Sequence, residues 1–140
     1  MTADERAVLG GILRSASTIA VVGMSPRPSR PSHYVAEYLQ RAGYRVVPVR
    51  PGVDSILGET AYPDLQTAAK AAGPIDVVDV FRRSEAIPEL ATDLLAVRPR
   101  LVWMQVGVRH EETAARLEAA GITVVMDRCL MVDHPWLTGD

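Results

Sequence analysis

Five short runs of nearly uninterrupted apolar residues, each followed by a stretch with helical spacing or turn residues, leave this chain few folds to choose from. The runs fall at residues 18–23, 44–49, 75–81, 101–106 and 122–126. A strand with one wet face alternates apolar and polar positions. Apart from Asp76 and Asp79 in the third run, these strands do not alternate, so both of their faces must be covered. Strands alternating with helices build a parallel sheet with helices on either side. Right-handed crossovers then give a Rossmann-like, doubly wound α/β sheet of five strands, expected in the order 3-2-1-4-5.

The intervening segments carry their own start and stop signals. Residues 4–16, with Ala7, Val8, Ile12 and Leu13 at helical spacing, read as an amphipathic helix within a leading segment 1–17. The second helix is expected to take Ser32 as its N-cap, just after Pro31, and to end at Gly43. Residues 52–63 read as a loop with short extended pieces, and 65–72 as a short helix stopped by Gly73-Pro74. Ser84 is the expected N-cap of a helix running to residue 97, with Pro88 delaying its start. A further helix covers 111–120 and ends at Gly121, and residues 127–140 form a C-terminal cap. At 140 residues, one domain with a single core is expected over 1–140.

Composition and charge exclude several functional classes. Hydrophobic residues make up 48% of the chain, too many for a disordered segment. No apolar run approaches the roughly 18 residues that span a bilayer, so no membrane partner is expected. A net charge of −2 lacks the basic excess of a nucleic-acid binder, and neither a winged helix nor a basic recognition helix is evident. Met1-Thr2-Ala3-Asp4-Glu5-Arg6 shows no signal-peptide pattern, and the single cysteine, Cys129, excludes an internal disulfide. A cytoplasmic protein is expected.

The strand exits carry the chemistry. The first strand ends in Gly23, followed by Met24-Ser25-Pro26-Arg27-Pro28 and then a helix. A strand, a glycine-bearing turn and a helix N-terminus aim backbone N–H groups and the helix dipole at an anion. The second strand leaves through Val49 and Arg50, the third through Phe81, Arg82 and Arg83. Arg27, Arg50, Arg82 and Arg83 thus emerge along one sheet edge, where guanidinium forks match phosphate oxygens. The G-x-G-x-x-G fingerprint is absent, and Arg50 stands where a carboxylate would bind the ribose diol of NAD. These features favour a nucleotide with an extra ribose phosphate, either NADP or coenzyme A. Prolines beside the arginines stiffen the turn and lower the ordering cost of binding.

Several stretches together carry a resemblance: Val22-Gly23-Met24-Ser25-Pro26, Gly43-Tyr44-Arg45-Val46-Val47-Pro48-Val49, Asp76-Val77-Val78-Asp79-Val80-Phe81-Arg82-Arg83, Val102-Trp103-Met104-Gln105-Val106-Gly107 and Val124-Val125-Met126-Asp127-Arg128-Cys129. With His33-Tyr34-Val35-Ala36-Glu37-Tyr38-Leu39 they cover residues 18–134. The chain resembles the small stand-alone CoA-binding proteins, which are similar to the CoA-binding domain of the succinyl-CoA synthetase alpha subunit. The resemblance implies coenzyme A or an acyl-CoA as ligand. By position it implies phosphate contacts at Gly23, Met24, Ser25 and Arg27, and adenosine contacts at Val49 and Arg50. It further implies a groove lined by Phe81, Arg82 and Arg83, with Ile87 as apolar lining. The family usually has asparagine at the position of Arg50, and this charge change favours a bound phosphate.

A catalytic set is not expected. In the full synthetases the phosphorylated histidine lies in a further domain, and none of His33, His110 and His134 sits in a glycine-rich loop. No two histidines show metal-ligand spacing, so no metal is expected. Cys129 beside Arg128 is either a small strand-end residue or a thiol within reach of the pantetheine arm. His134 beside Asp133 forms a base–orienter couple only if a nucleophile is supplied. Trp103 reads as core, and Gln105 as a candidate for a ligand hydrogen bond. The expected function is a non-catalytic CoA carrier, sensor or regulatory module. The alternative is an NADP-linked or Cys129-dependent enzyme.

Overall fold

The computed structural model describes residues 1–139. In chain order the elements are α1 (Ala3–Ser15), β1 (Thr18–Val22), α2 (Pro31–Arg41), β2 (Arg45–Val49), the two-residue strands β3 (Ser55–Ile56) and β4 (Glu59–Thr60), and α3 (Leu65–Ala72). They continue with β5 (Val77–Val80), a 3-10 turn at Ser84–Ala86, α4 (Ile87–Val97), β6 (Leu101–Met104), α5 (Glu111–Ala119), β7 (Thr123–Val125) and α6 (Leu130–Thr138). The expected C-terminal cap is mostly α6; its last residue, Asp140, lies outside the described residues. No described helix is long and apolar enough to cross a membrane.

All five apolar runs enter one Rossmann-like, doubly wound sheet in which every pairing is parallel. Its order is β2-β1-β5-β6-β7. Numbered by the five main strands this is 2-1-3-4-5, which corrects the expected 3-2-1-4-5. The third main strand inserts beside the first instead of extending the sheet beyond the second. Both orders allow right-handed crossovers and differ in the face that α3 must cover. A strand that is apolar on both faces carries no signal for that choice. In the structure α1, α2 and α6 bury one face of the sheet, and α3, α4 and α5 bury the other. The winding reverses between β1 and β5, and a ligand groove opens at such a reversal.

Two serines expected as helix caps serve tertiary contacts instead. Ser32 lies inside α2, whose N-cap is Arg30, and its hydroxyl accepts the Ser25 N–H at 2.9 Å. The Ser84 hydroxyl donates to the Gly107 carbonyl at 3.2 Å and accepts the Arg109 N–H at 2.9 Å. The start of α4 is delayed to Ile87, with Pro88 in its first turn, as expected. The two outer helices α1 and α6 approach closely because Gly10 has no side chain. A Cβ there would come within 2.4 Å of the Leu137 carbonyl oxygen. Trp103 is fully buried, and its indole N–H donates to the Arg128 carbonyl at 2.7 Å. Each buried Leu, Ile or Val side chain in these layers contributes about 1.5–3 kcal/mol.

One core position runs against this pattern. Asp79 in β5 is fully buried between Val21 of β1 and Trp103 of β6, and neither of its oxygens has a hydrogen-bond partner among the described residues. Burial pushes its carboxyl well above the usual aspartate range, so the fold holds it in its neutral form. In the unfolded chain it ionises near pH ~3.9. Below that pH it is protonated in both states. Above it the unfolded state gains by ionising and the folded state does not, so stability falls as pH rises, until the folded carboxyl itself titrates. Asp79→Leu removes this dependence. In urea denaturation the native chain is expected to lose stability relative to Asp79→Leu as pH rises from 4 to 7. Parallel stability curves for the two proteins would exclude a dry carboxyl at this position.

Candidate functional site

Three strand exits are stitched together by backbone hydrogen bonds. The Gly23 N–H donates to the Val49 carbonyl at 2.9 Å, and the Phe81 N–H donates to the Val22 carbonyl at 2.9 Å. The turn after β1 therefore sits between the exits of β2 and β5. Gly23 adopts φ +82°, and a Cβ on it would lie 2.2 Å from the Phe81 carbonyl oxygen. Only glycine fits both that conformation and that approach.

The loop beyond Gly23 is held from several sides. Besides the Ser32 contact, the Ser25 hydroxyl accepts the Arg27 N–H at 3.1 Å. His33 in the first turn of α2 is buried, and its Nδ1 lies 2.9 Å from the Ser25 carbonyl oxygen. A carbonyl can only accept, so Nδ1 carries the proton. The Arg50 guanidinium donates to the Met24 carbonyl at 3.3 Å, which orients it across the mouth of the β1 turn. The loop is therefore held by contacts within the chain.

These exits open into a cleft of about 470 Å³ between the sheet edge and α3 and α4. Of the expected site residues, Gly23, Val49, Arg50, Phe81 and Arg82 line it. Met24 and Ile87 are fully buried, outside the lining, and belong to the core clusters on the two faces of the sheet. Ser25 is buried in the loop, while Arg27 and Arg83 are exposed and lie outside the lining. The far wall adds Asp64, Leu65, Leu90 and Asp93, none of them singled out in the sequence. Asp64 was accessible to sequence reading, because Asp before an apolar helical run is an N-cap signal. The Thr67 N–H donates to it and holds its carboxyl below the usual carboxylate range. A larger hollow of about 640 Å³ lies between α1 and the sheet edge at β7 and shares no residue with this cleft.

The model of a family described as CoA binding domain matches residues 17–135. The chain belongs to that family. This CoA-binding domain is 42% identical over 134 residues to the uncharacterized protein YneT of Bacillus subtilis, covering 96% of this chain and 97% of YneT. It is 45% identical to a Thermus thermophilus protein of known structure, with a TM-score of 0.88 over 98% of this chain and 99% of that one. A hypothetical protein from Pyrococcus horikoshii OT3 is 31% identical, with a TM-score of 0.86 over 98% of this chain and 92% of that one.

In this CoA-binding domain the remaining candidate residues have structural partners. Cys129 is half-buried at the N-cap of α6, and its neighbour Arg128 pairs with Asp133. His134 does not pair with Asp133: its Nδ1 lies 2.8 Å from the Tyr38 hydroxyl and its Nε2 lies 2.9 Å from that of Tyr44. Gln105 is buried, and its side-chain oxygen accepts the Leu130 N–H at the start of α6 at 3.2 Å. His110 caps α5 by accepting the Thr113 N–H at 3.2 Å. No group of His, Cys, Asp and Glu able to hold a metal occurs among the described residues.

The Gly23 geometry has a direct test. Gly23→Ala must relieve both the positive φ and the contact with the Phe81 carbonyl, at a cost of about 2 kcal/mol or more in folding stability. Chemical denaturation measures it, and an unchanged midpoint would show that the two exits do not touch.

Proposed function

We propose that this chain binds coenzyme A, or an acyl-CoA, through the arginine-lined cleft and acts as a non-catalytic carrier, sensor or regulatory module. One observation carries the reading. Arg50 and Arg82 line one cleft with the Gly23 turn between the strand exits that bear them. A pyrophosphate at that turn would meet two guanidinium forks, the turn's own N–H groups from Gly23, Ser25 and Arg27 being engaged within the chain. Arg50 at the end of β2 supplies attraction for a ribose phosphate, where a carboxylate would repel it. Membership of the CoA binding domain family supports the same ligand. A reducing, cytoplasmic setting accords with the lone cysteine.

Ligand-dependent melting ranks the candidates, because at equal concentration a tighter ligand of the folded state raises the transition further. Coenzyme A is expected to raise the melting temperature most, and dephospho-CoA, NADP and NAD less. Arg50→Ala is expected to weaken CoA binding by about 1.5–3 kcal/mol and to shrink the gap between CoA and dephospho-CoA. Equal shifts with the two forms in the native protein would remove the role assigned to the ribose phosphate.

A further inference from the structure

The cleft is bipolar. Its mouth at the strand exits carries Arg50 and Arg82, and its opposite wall, built by α3 and α4, carries Asp64 and Asp93. The same cleft is lined by the apolar Val49, Leu65, Leu90 and Phe81. The two carboxylates have different employments. Asp64 is committed to capping α3 through the Thr67 N–H. Asp93 lies one helical turn beyond the buried Leu90 on α4, and its Oδ1 accepts the Gln66 side-chain N–H from α3 at 2.7 Å. That bond fixes the plane of the carboxylate across the α3–α4 seam. Its Oδ2 has no hydrogen-bond partner among the described residues.

We propose that Asp93 reads the base of the bound nucleotide: its open carboxylate oxygen accepts the exocyclic amino group of a 6-aminopurine, with Gln66 as the positioning residue. This assignment rests on the nucleotide reading above and adds base specificity to it. A nucleotide carries negative charge at its phosphate end and N–H donors at its base end. A slot with guanidinium groups at one end and a carboxylate at the other admits it in a single orientation. The phosphates meet the strand exits, and the ring lies over Leu65 and Leu90 with its donor edge toward Asp93. A 6-oxopurine would place a carbonyl oxygen where the amino group stood, so that two acceptors face each other. Asp93 is half-buried, and discrimination arises when the bound ring covers it: a 6-oxopurine then leaves the covered carboxylate oxygen without a donor.

Calorimetric titration of the full chain with CoA, the hypoxanthine-base analogue of CoA and dephospho-CoA tests the assignment. The native protein is expected to bind CoA about ten-fold or more tightly than the hypoxanthine analogue. Asp93→Asn is expected to narrow that preference to about two-fold while leaving the ratio of CoA to dephospho-CoA affinity unchanged. General loosening of the cleft would lower both ratios together. Equal binding of the two bases by a native protein that does bind CoA overturns the Asp93 assignment and leaves the nucleotide reading standing. Retention of the full preference in Asp93→Asn does the same. If the native protein binds neither base form, the nucleotide reading falls and this assignment falls with it. The comparison of bases on the native protein needs no variant, so a poorly folded Asp93→Asn does not remove the test.

Discussion

The backbone of the first βα turn rests directly on the backbone leaving β5, and the whole site depends on that contact. Gly23 permits it, since any side chain there would occupy the space of the Phe81 carbonyl. The hydrogen bonds from Gly23 to Val49 and from Phe81 to Val22 then hold three strand exits in a fixed relation. Arg50 and Arg82 inherit their spacing from this backbone frame rather than from contacts with each other. The binding proposed above draws on this frame, in which Arg50 is held further by the Met24 carbonyl.

Both partners of the frame come from the winding of the chain. The connection from β1 to β2 moves one way across the sheet, while the later connections move the other way and place α3, α4 and α5 on the opposite face. The reversal leaves the end of β1 bordered by two exits and roofed on one side by α3 and α4. On the other side, α2 supplies Ser32 and His33, which grip the loop at Ser25. Each layer of helices thus holds one side of the same turn.

The strands, the helical segments and the parallel sheet were legible in the sequence because burial on both faces leaves long apolar runs. The same property hid the strand order, since a run without a wet face does not say which helix lies on which side. Ser32 and Ser84 looked like caps because a hydroxyl at a helix start commonly bonds its own helix. Here the 2.9 Å bond from Ser25 and the contacts at Gly107 and Arg109 draw them away. Arg50 and Arg82 could be placed because their position follows from strand register alone. Asp93 could not, because its exposure to the cleft depends on how α4 packs against α3. Ile87 shows the converse: it follows the β5 exit closely in sequence, yet the helix turns it fully into the core.

Asp79 has a second consequence that lies outside the native state. In the tract Val77-Val78-Asp79-Val80, Asp79 interrupts three β-branched valines that lie between Ile75 and Phe81. Such a tract pairs readily with copies of itself while the chain is still open. In the unfolded chain the Asp79 carboxyl is hydrated and ionised, and with Asp76 it places negative charge inside that tract. The group that weakens the finished sheet thus places charge within this strand until β1 and β6 enclose it.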